Sequence, residues 1–183
     1  CHLVGHSLGG KIAMKMALRD SSRFNSILII DIAPVSYSST HQYIFHAMEK
    51  LLEANCTSRK NAQMVLEKHL DEVEIIQFLF MSLRKNEMGI YKWILNYEGL
   101  KRDYPLLCLA PESGSAQYHR PALFVRGGRS DFISRESEVL ISKLFPESKI
   151  STVSDAGHWV HYDQPDQFNA IILKFLSENS DFV

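Results

Sequence analysis

Two apolar runs set the frame of the chain, and between them the periodicity changes. Ser26-Ile27-Leu28-Ile29-Ile30 is unbroken and rich in isoleucine, and Ala122-Leu123-Phe124-Val125 follows Pro121 in the same manner. Runs this short, without polar alternation, predict parallel strands buried on both faces. His2-Leu3-Val4 and Ile150-Ser151-Thr152-Val153 predict two more strands. Residues 9–19, 135–145 and 165–176 carry apolar positions at helical spacing. In the second of these Val139, Leu140, Ile141 and Leu144 are expected inward; in the third, Phe168, Ile171, Ile172, Phe175 and Leu176. Strands alternating with helices predict an α/β fold with a mostly parallel sheet.

From residue 40 to about residue 85 the pattern is helical throughout. Tyr43, Phe45, Met48, Leu51 and Leu52 fit one face. Ala62, Val65, Leu66, His69 and Leu70 fit a second, for which Ser58 is a candidate cap. Val73, Ile75, Ile76, Phe78, Leu79 and Leu83 fit a third. The dense methionines and aromatics of this stretch suit core packing. The same residues can also serve a lid whose apolar inner face meets an acyl substrate. A short extended stretch is expected over residues 88–96. Residues 97–117, with Pro105, Pro111 and Gly114, are expected to be irregular. The expected organisation is a core of residues 1–39 and 105–183 and a helical cap of residues 40–104.

The chemistry gathers at the ends of the predicted strands. Gly5-His6-Ser7-Leu8-Gly9 is a G-x-S-x-G match between an apolar strand and a helix. This spacing suits a strained turn that lifts the Ser7 hydroxyl clear of the sheet. Glycine on both flanks is expected to avoid clashes there. The Leu8 N–H then stands at a helix N-terminus, placed to face an oxyanion. Near the other end, Ala156-Gly157-His158-Trp159-Val160-His161 follows a strand as a loop. A histidine there, after the serine in the chain, fits the general base of a Ser–His–acid constellation. Asp31 ends the Ile-Leu-Ile-Ile strand, where open sheets hold ligands. It is a candidate acid or, equally, a turn cap before Pro34. Asp131, in the loop after the penultimate strand, is the other candidate. His6 suits a structural or pocket role, and Trp159 and His161 suit cleft walls.

Bulk properties narrow the picture. The 183 residues are 45% hydrophobic and 22% charged, with a net charge of −1. That balance gives no electrostatic reason to expect nucleic acid as a partner. No apolar run reaches the roughly 18 residues of a membrane span. Cys1, Cys56 and Cys108 are too scattered for a zinc site or a disulfide framework. They suit buried or idle thiols in a reducing compartment. The chain starts without methionine and already inside the strand that feeds Ser7. It is expected to be the C-terminal part of a longer chain lacking N-terminal strands, so no targeting signal is readable.

Gly5-His6-Ser7-Leu8-Gly9-Gly10-Lys11, Asp31-Ile32-Ala33-Pro34-Val35, Gly127-Gly128-Arg129-Ser130, Ala156-Gly157-His158-Trp159-Val160-His161 and Asp163-Gln164-Pro165 together carry a family resemblance. They resemble the alpha/beta-hydrolase superfamily, in its branch of domain-containing protein 11 and related bacterial serine esterases. The resemblance spans essentially the whole chain. It implies a serine esterase or lipase with a small helical cap, Ser7 as nucleophile and His158 as base. It also implies a mitochondrial location for animal members; a cytoplasmic one is otherwise expected, and secretion is not. For the acid, bacterial relatives implicate the position of Asp31, and Glu98 lies at a position often acidic in the family. The implied reaction cleaves a small-molecule or lipid carboxylic ester through an acyl-enzyme, without metal or organic cofactor. The second oxyanion donor is expected from a loop before residue 1. The competing reading is a non-catalytic interaction protein on a hydrolase fold, or an inactive fragment.

Overall fold

The computed structural model describes residues 1–112 and 114–180. Two compact units divide the chain. One is Cys1–Tyr37 with Leu109–Val183, the other Ser38–Cys108.

The first unit opens with β1 (His2–His6) and α1 (Leu8–Arg19). A 3₁₀ turn, Ser21–Arg23, leads into β2 (Ser26–Ile30). Every residue of β2 is buried, as its unbroken apolar run requires of an inner parallel strand. The second unit follows with α2 (Gln42–Glu53), α3 (Arg59–Glu67) and α4 (Val73–Met81). It continues as a hairpin of β3 (Leu83–Lys85) and β4 (Tyr91–Trp93), then α5 (Tyr97–Leu107). The chain returns to the first unit through β5 (Ala122–Gly127), α6 (Arg135–Leu144) and β6 (Ser148–Val153). It closes with the short α7 (Val160–Asp163) and α8 (Pro165–Glu178).

Among the described residues the main sheet has the order β1-β2-β5-β6, all parallel. His6 pairs with Ile30, Ile30 with Val125 and Gly127 with Val153, so the carboxyl ends line up in one row. Each face of the sheet has its own apolar layer. Met14, Ala17, Ile27, Ile29, Phe124, Ile141 and Phe145 pack on one side, and Leu28, Val125, Val153, Val160, Phe168 and Phe175 on the other. The second unit has a separate core around Phe45, Met48, Leu51, Leu66, Leu79 and Tyr97.

Several expected details differ. Residues 97–107 form a helix instead of an irregular return. Asn96 caps it by accepting from the Gly99 N–H, 3.0 Å away, and Tyr97 anchors it, donating to the Phe45 carbonyl. Pro105 falls in the last turn, where its missing N–H removes one intrahelical hydrogen bond just before the helix ends. In α6 the buried stripe is Ser137, Ile141 and Leu144, an i, i+4, i+7 set. Val139 lies on the opposite side and is 73% exposed. In α4 the stripe is Ile76, Leu79 and Phe80, which turns Phe78 outward. Leu83 is buried but belongs to β3. Ser58 does cap α3, its hydroxyl accepting from the Asn61 N–H at 3.1 Å.

Candidate active site

The row of carboxyl ends places the candidate residues. Ser7 follows β1 with φ 53° and ψ −120°, a left-handed turn between strand and helix. Its N–H extends the ladder to the Ile30 carbonyl at 3.0 Å, and its carbonyl accepts from the Lys11 N–H. The turn is tight on one side only. A Cβ on Gly5 would lie 2.3 Å from the Gly9 carbonyl oxygen, whereas one on Gly9 would meet nothing within 4 Å. The second crowded glycine is instead Gly10, against the Ile32 side chain. The expectation that both flanks exclude a side chain is therefore corrected. Leu8 is the first residue of α1, among the first-turn N–H groups that lack an intrahelical acceptor.

Asp31 ends β2 in a left-handed turn of its own, with φ 47°. It is 0% exposed. A buried carboxylate is costly unless hydrogen-bonded, and this one is fully engaged. Oδ1 accepts from the Gly127 N–H at 2.9 Å. Oδ2 accepts from the Ser130 hydroxyl and from His158 Nδ1, the latter at 2.8 Å. His158 Nε2 stands 3.0 Å from the Ser7 hydroxyl. Ser7, His158 and Asp31, spread over 151 positions, thus form one hydrogen-bonded line.

The loop that carries His158 is held from several directions. Gly127 is in close backbone approach to Gly157, since a Cβ there would sit 2.1 Å from the Gly157 carbonyl oxygen. The Gly157 N–H donates to the Asp163 carboxylate at 2.6 Å. Phe132 stacks on the His158 ring at 4.1 Å. Tyr37 fixes the Phe132 segment by donating to its carbonyl at 2.6 Å while accepting from the Ala33 N–H. Burial pushes the Tyr37 hydroxyl up to about 12, so it stays protonated and able to donate.

His6, Trp159 and His161 gather beside this line. The His6 ring lies 4.8 Å from that of His158, 5.4 Å from Trp159 and 5.1 Å from His161. Burial above all, with the neighbouring His158 and His161, lowers the His6 pKa to about 4, so the ring is neutral near pH 7. Burial also lowers His161.

The other acid candidates lie elsewhere. Asp131 is exposed in the loop after β5, and His158 Nδ1 is engaged with Asp31. The neighbours of Asp131 in the chain touch the line, Ser130 through Asp31 and Phe132 through the His158 ring, but Asp131 itself is turned to solvent. Glu98 is an exposed residue in the first turn of α5, in the second unit. Sequence reasoning missed Ser130, Phe132 and Tyr37 as neighbours of the line. Ser130 lies within a family stretch, so its placement had a signal; Tyr37 and Phe132 had none. Among the described residues, no group of three or more His, Cys, Asp or Glu is arranged to hold a metal ion, and no helix is long and apolar enough to cross a membrane.

A family model described as the alpha/beta hydrolase family matches residues 1–171. The chain belongs to this family. Esterase YbfF of Escherichia coli (strain K12) is 34% identical over 176 residues, covering 96% of this chain and 66% of that protein. The sn-1-specific diacylglycerol lipase ABHD11 of Mus musculus is 34% identical over 183 residues, covering 97% of this chain and 59% of the lipase. The chain therefore spans between 59% and 66% of the length of these two relatives. A solved structure, "Marine microorganism esterase", superposes with a TM-score of 0.90 at 30% identity, covering 96% of this chain and 69% of that one. The alpha/beta-hydrolase fold expected from the sequence is the fold found, with its parallel sheet and flanking helices.

Proposed function

We propose that this hydrolase chain carries the nucleophile, base and acid of a serine carboxylic-ester hydrolase. The observation that carries the reading is the line Ser7 Oγ, His158 Nε2 at 3.0 Å, His158 Nδ1 and Asp31 Oδ2 at 2.8 Å. In the proposed reaction His158 takes the Ser7 proton as the hydroxyl oxygen attacks the ester carbonyl. Asp31 holds the proton on Nδ1, which leaves Nε2 free to accept, and stabilises the imidazolium. The Leu8 N–H, at the positive end of α1, faces the developing oxyanion. His158 then protonates the departing alcohol, leaving an acyl-enzyme. Water, deprotonated by the same imidazole, releases the acid.

The substrate class proposed is a small-molecule or lipid ester, supported by relatives named esterase and diacylglycerol lipase. The family resemblance also supports a mitochondrial location, which subcellular fractionation of the native protein tests. For the activity, the test pairs a fluorophosphonate probe with hydrolysis of p-nitrophenyl butyrate in the full protein. The expected result is labelling at Ser7, with Ser7→Ala losing about 10³-fold or more in turnover while keeping the fold. A Ser7→Ala variant retaining a tenth of the activity refutes the assignment.

A further inference from the structure

The His6 ring has more partners than a pocket wall needs. It projects from the last residue of β1, directly before Ser7. Its Nε2 lies 2.9 Å from the main-chain carbonyl of His158. A carbonyl only accepts, so Nε2 carries the proton and donates. The ring also packs against those of His158, Trp159 and His161, the last edge-on. One side chain thus ties the strand that delivers Ser7 to the backbone of His158.

We propose that His6 is a positioning residue, whose Nε2–H bond to the His158 carbonyl fixes the loop of the base and so holds His158 Nε2 at reacting distance from Ser7. This inference rests on the serine-hydrolase reading above. The reasoning is geometric. The Ser7–His158 bond joins two segments far apart in sequence, and the rate of proton transfer depends on their separation. The side-chain bond from His158 to Asp31 restrains the ring, and the stacked Phe132 restrains its plane. Neither ties the His158 backbone to β1; the His6 bond does.

The charge state of the ring fits the role. Burial disfavours its protonation most, and the facing His158 and His161 rings add to this; together they outweigh the His158 carbonyl bond and Asp31, which favour protonation. The neutral ring donates its hydrogen bond without placing a second cation beside the imidazolium that forms on His158.

The test compares wild type, His6→Phe, His6→Leu and His6→Gln in the full protein. Phe keeps an aromatic ring without the donor, Leu removes ring and donor, and Gln keeps an N–H donor without the ring. Three quantities are measured: kcat and KM for p-nitrophenyl butyrate, the rate of fluorophosphonate labelling, and deuterium exchange of residues 155–160. For Phe and Leu, kcat and labelling are expected to fall about 10- to 100-fold with KM within twofold, and the loop to exchange faster. Gln is expected to recover most of the loss. A folded Phe or Leu variant with kcat and loop exchange within twofold of wild type overturns the proposal. So does loss of fold in both while Gln folds, since the contact is then purely structural. If wild type is neither labelled nor active, the hydrolase reading fails instead, and loop exchange alone decides whether His6 holds the His158 loop.

Discussion

Asp31→Asn separates the two candidate acids, and its size follows from the contacts. Asp31 is fully buried and accepts three hydrogen bonds, from the Gly127 N–H, the Ser130 hydroxyl and His158 Nδ1. Asparagine has nearly the same shape and tolerates the left-handed φ of 47° better than most residues. Its carbonyl oxygen can keep the Gly127 bond. Its amide then faces Ser130 and His158 as a donor. Ser130 can turn its hydroxyl to accept, and His158 can accept only by moving its proton to Nε2. Each group is still satisfied, so the cost in stability should be about 1 kcal/mol. Catalysis loses much more, because a proton on Nε2 leaves nothing to receive the one on Ser7.

In a serine-protease Ser–His–Asp triad the same change lowers turnover by about 10⁴. At 1.36 kcal/mol per decade that is about 5.4 kcal/mol of transition-state stabilisation. The assay is p-nitrophenyl butyrate turnover at pH 7 alongside thermal unfolding. Asp31→Asn should fall by 10³- to 10⁴-fold with unfolding little changed. Asp131→Asn, at an exposed position, should remain within about twofold. An Asp31→Asn enzyme with more than a tenth of wild-type turnover refutes the assignment of the acid.

Further outcomes follow from the same contacts. Gly5→Ala should destabilise by about 1–3 kcal/mol or more, because the new methyl meets Gly9 and Gly10 backbone at 2.3–2.7 Å, while Gly9→Ala should be neutral or stabilising by up to about 1 kcal/mol; urea unfolding of both checks this. Folding keeps His6 neutral down to about pH 4, whereas the unfolded ring titrates near 6.5. The unfolded state therefore binds the extra proton between those values, so this contribution leaves stability undiminished above pH 6.5 and lowers it as pH falls towards 4. After discounting for the partly exposed ring, the loss should be roughly 1–2 kcal/mol. Urea unfolding at pH 7 and pH 4 should show a smaller difference in His6→Gln than in wild type.

What the sequence made legible was whatever a local pattern encodes. The run Ser26–Ile30 has no polar break, so its place as an inner parallel strand could be read directly. The glycine-bounded turn around Ser7 and the His158 loop are likewise local signals. Residues 97–107 were obscured because Pro105 and a polar composition hide a helix whose stability comes from Tyr97 and Tyr104 packing within the second unit. Val139 was misplaced because four apolar residues cluster around it, while the buried face is set by the neighbouring core and selects Ser137, Ile141 and Leu144. Tyr37, Phe132 and the His6 bond were invisible for a deeper reason: each depends on a partner about a hundred or more residues away.

The choice between Asp31 and Asp131 shows why such a question waits for coordinates. Both follow buried strands, and both fit a triad by chain order. The ladder separates them. The Ser7 N–H bonds to Ile30 and the Asp31 N–H to Val125, so each residue is the first step beyond its strand, in adjacent columns of the sheet. The left-handed turn at Asp31 then directs its carboxylate to the Gly127 N–H at the end of the next column. His158 reaches the same row from β6, whose last residue, Val153, pairs with Gly127. β1, β2 and β6 thus deliver the three groups to one end of the sheet, with β5 standing between β2 and β6. Asp131 lies four residues past Gly127, exposed on the loop leading to α6, and Nδ1 is engaged with Asp31 instead. An acid after β2 therefore needs only one backbone turn of unusual sign, whereas one after β5 needs a different loop. Such a difference is carried by φ at residue 31, which residue types alone do not encode.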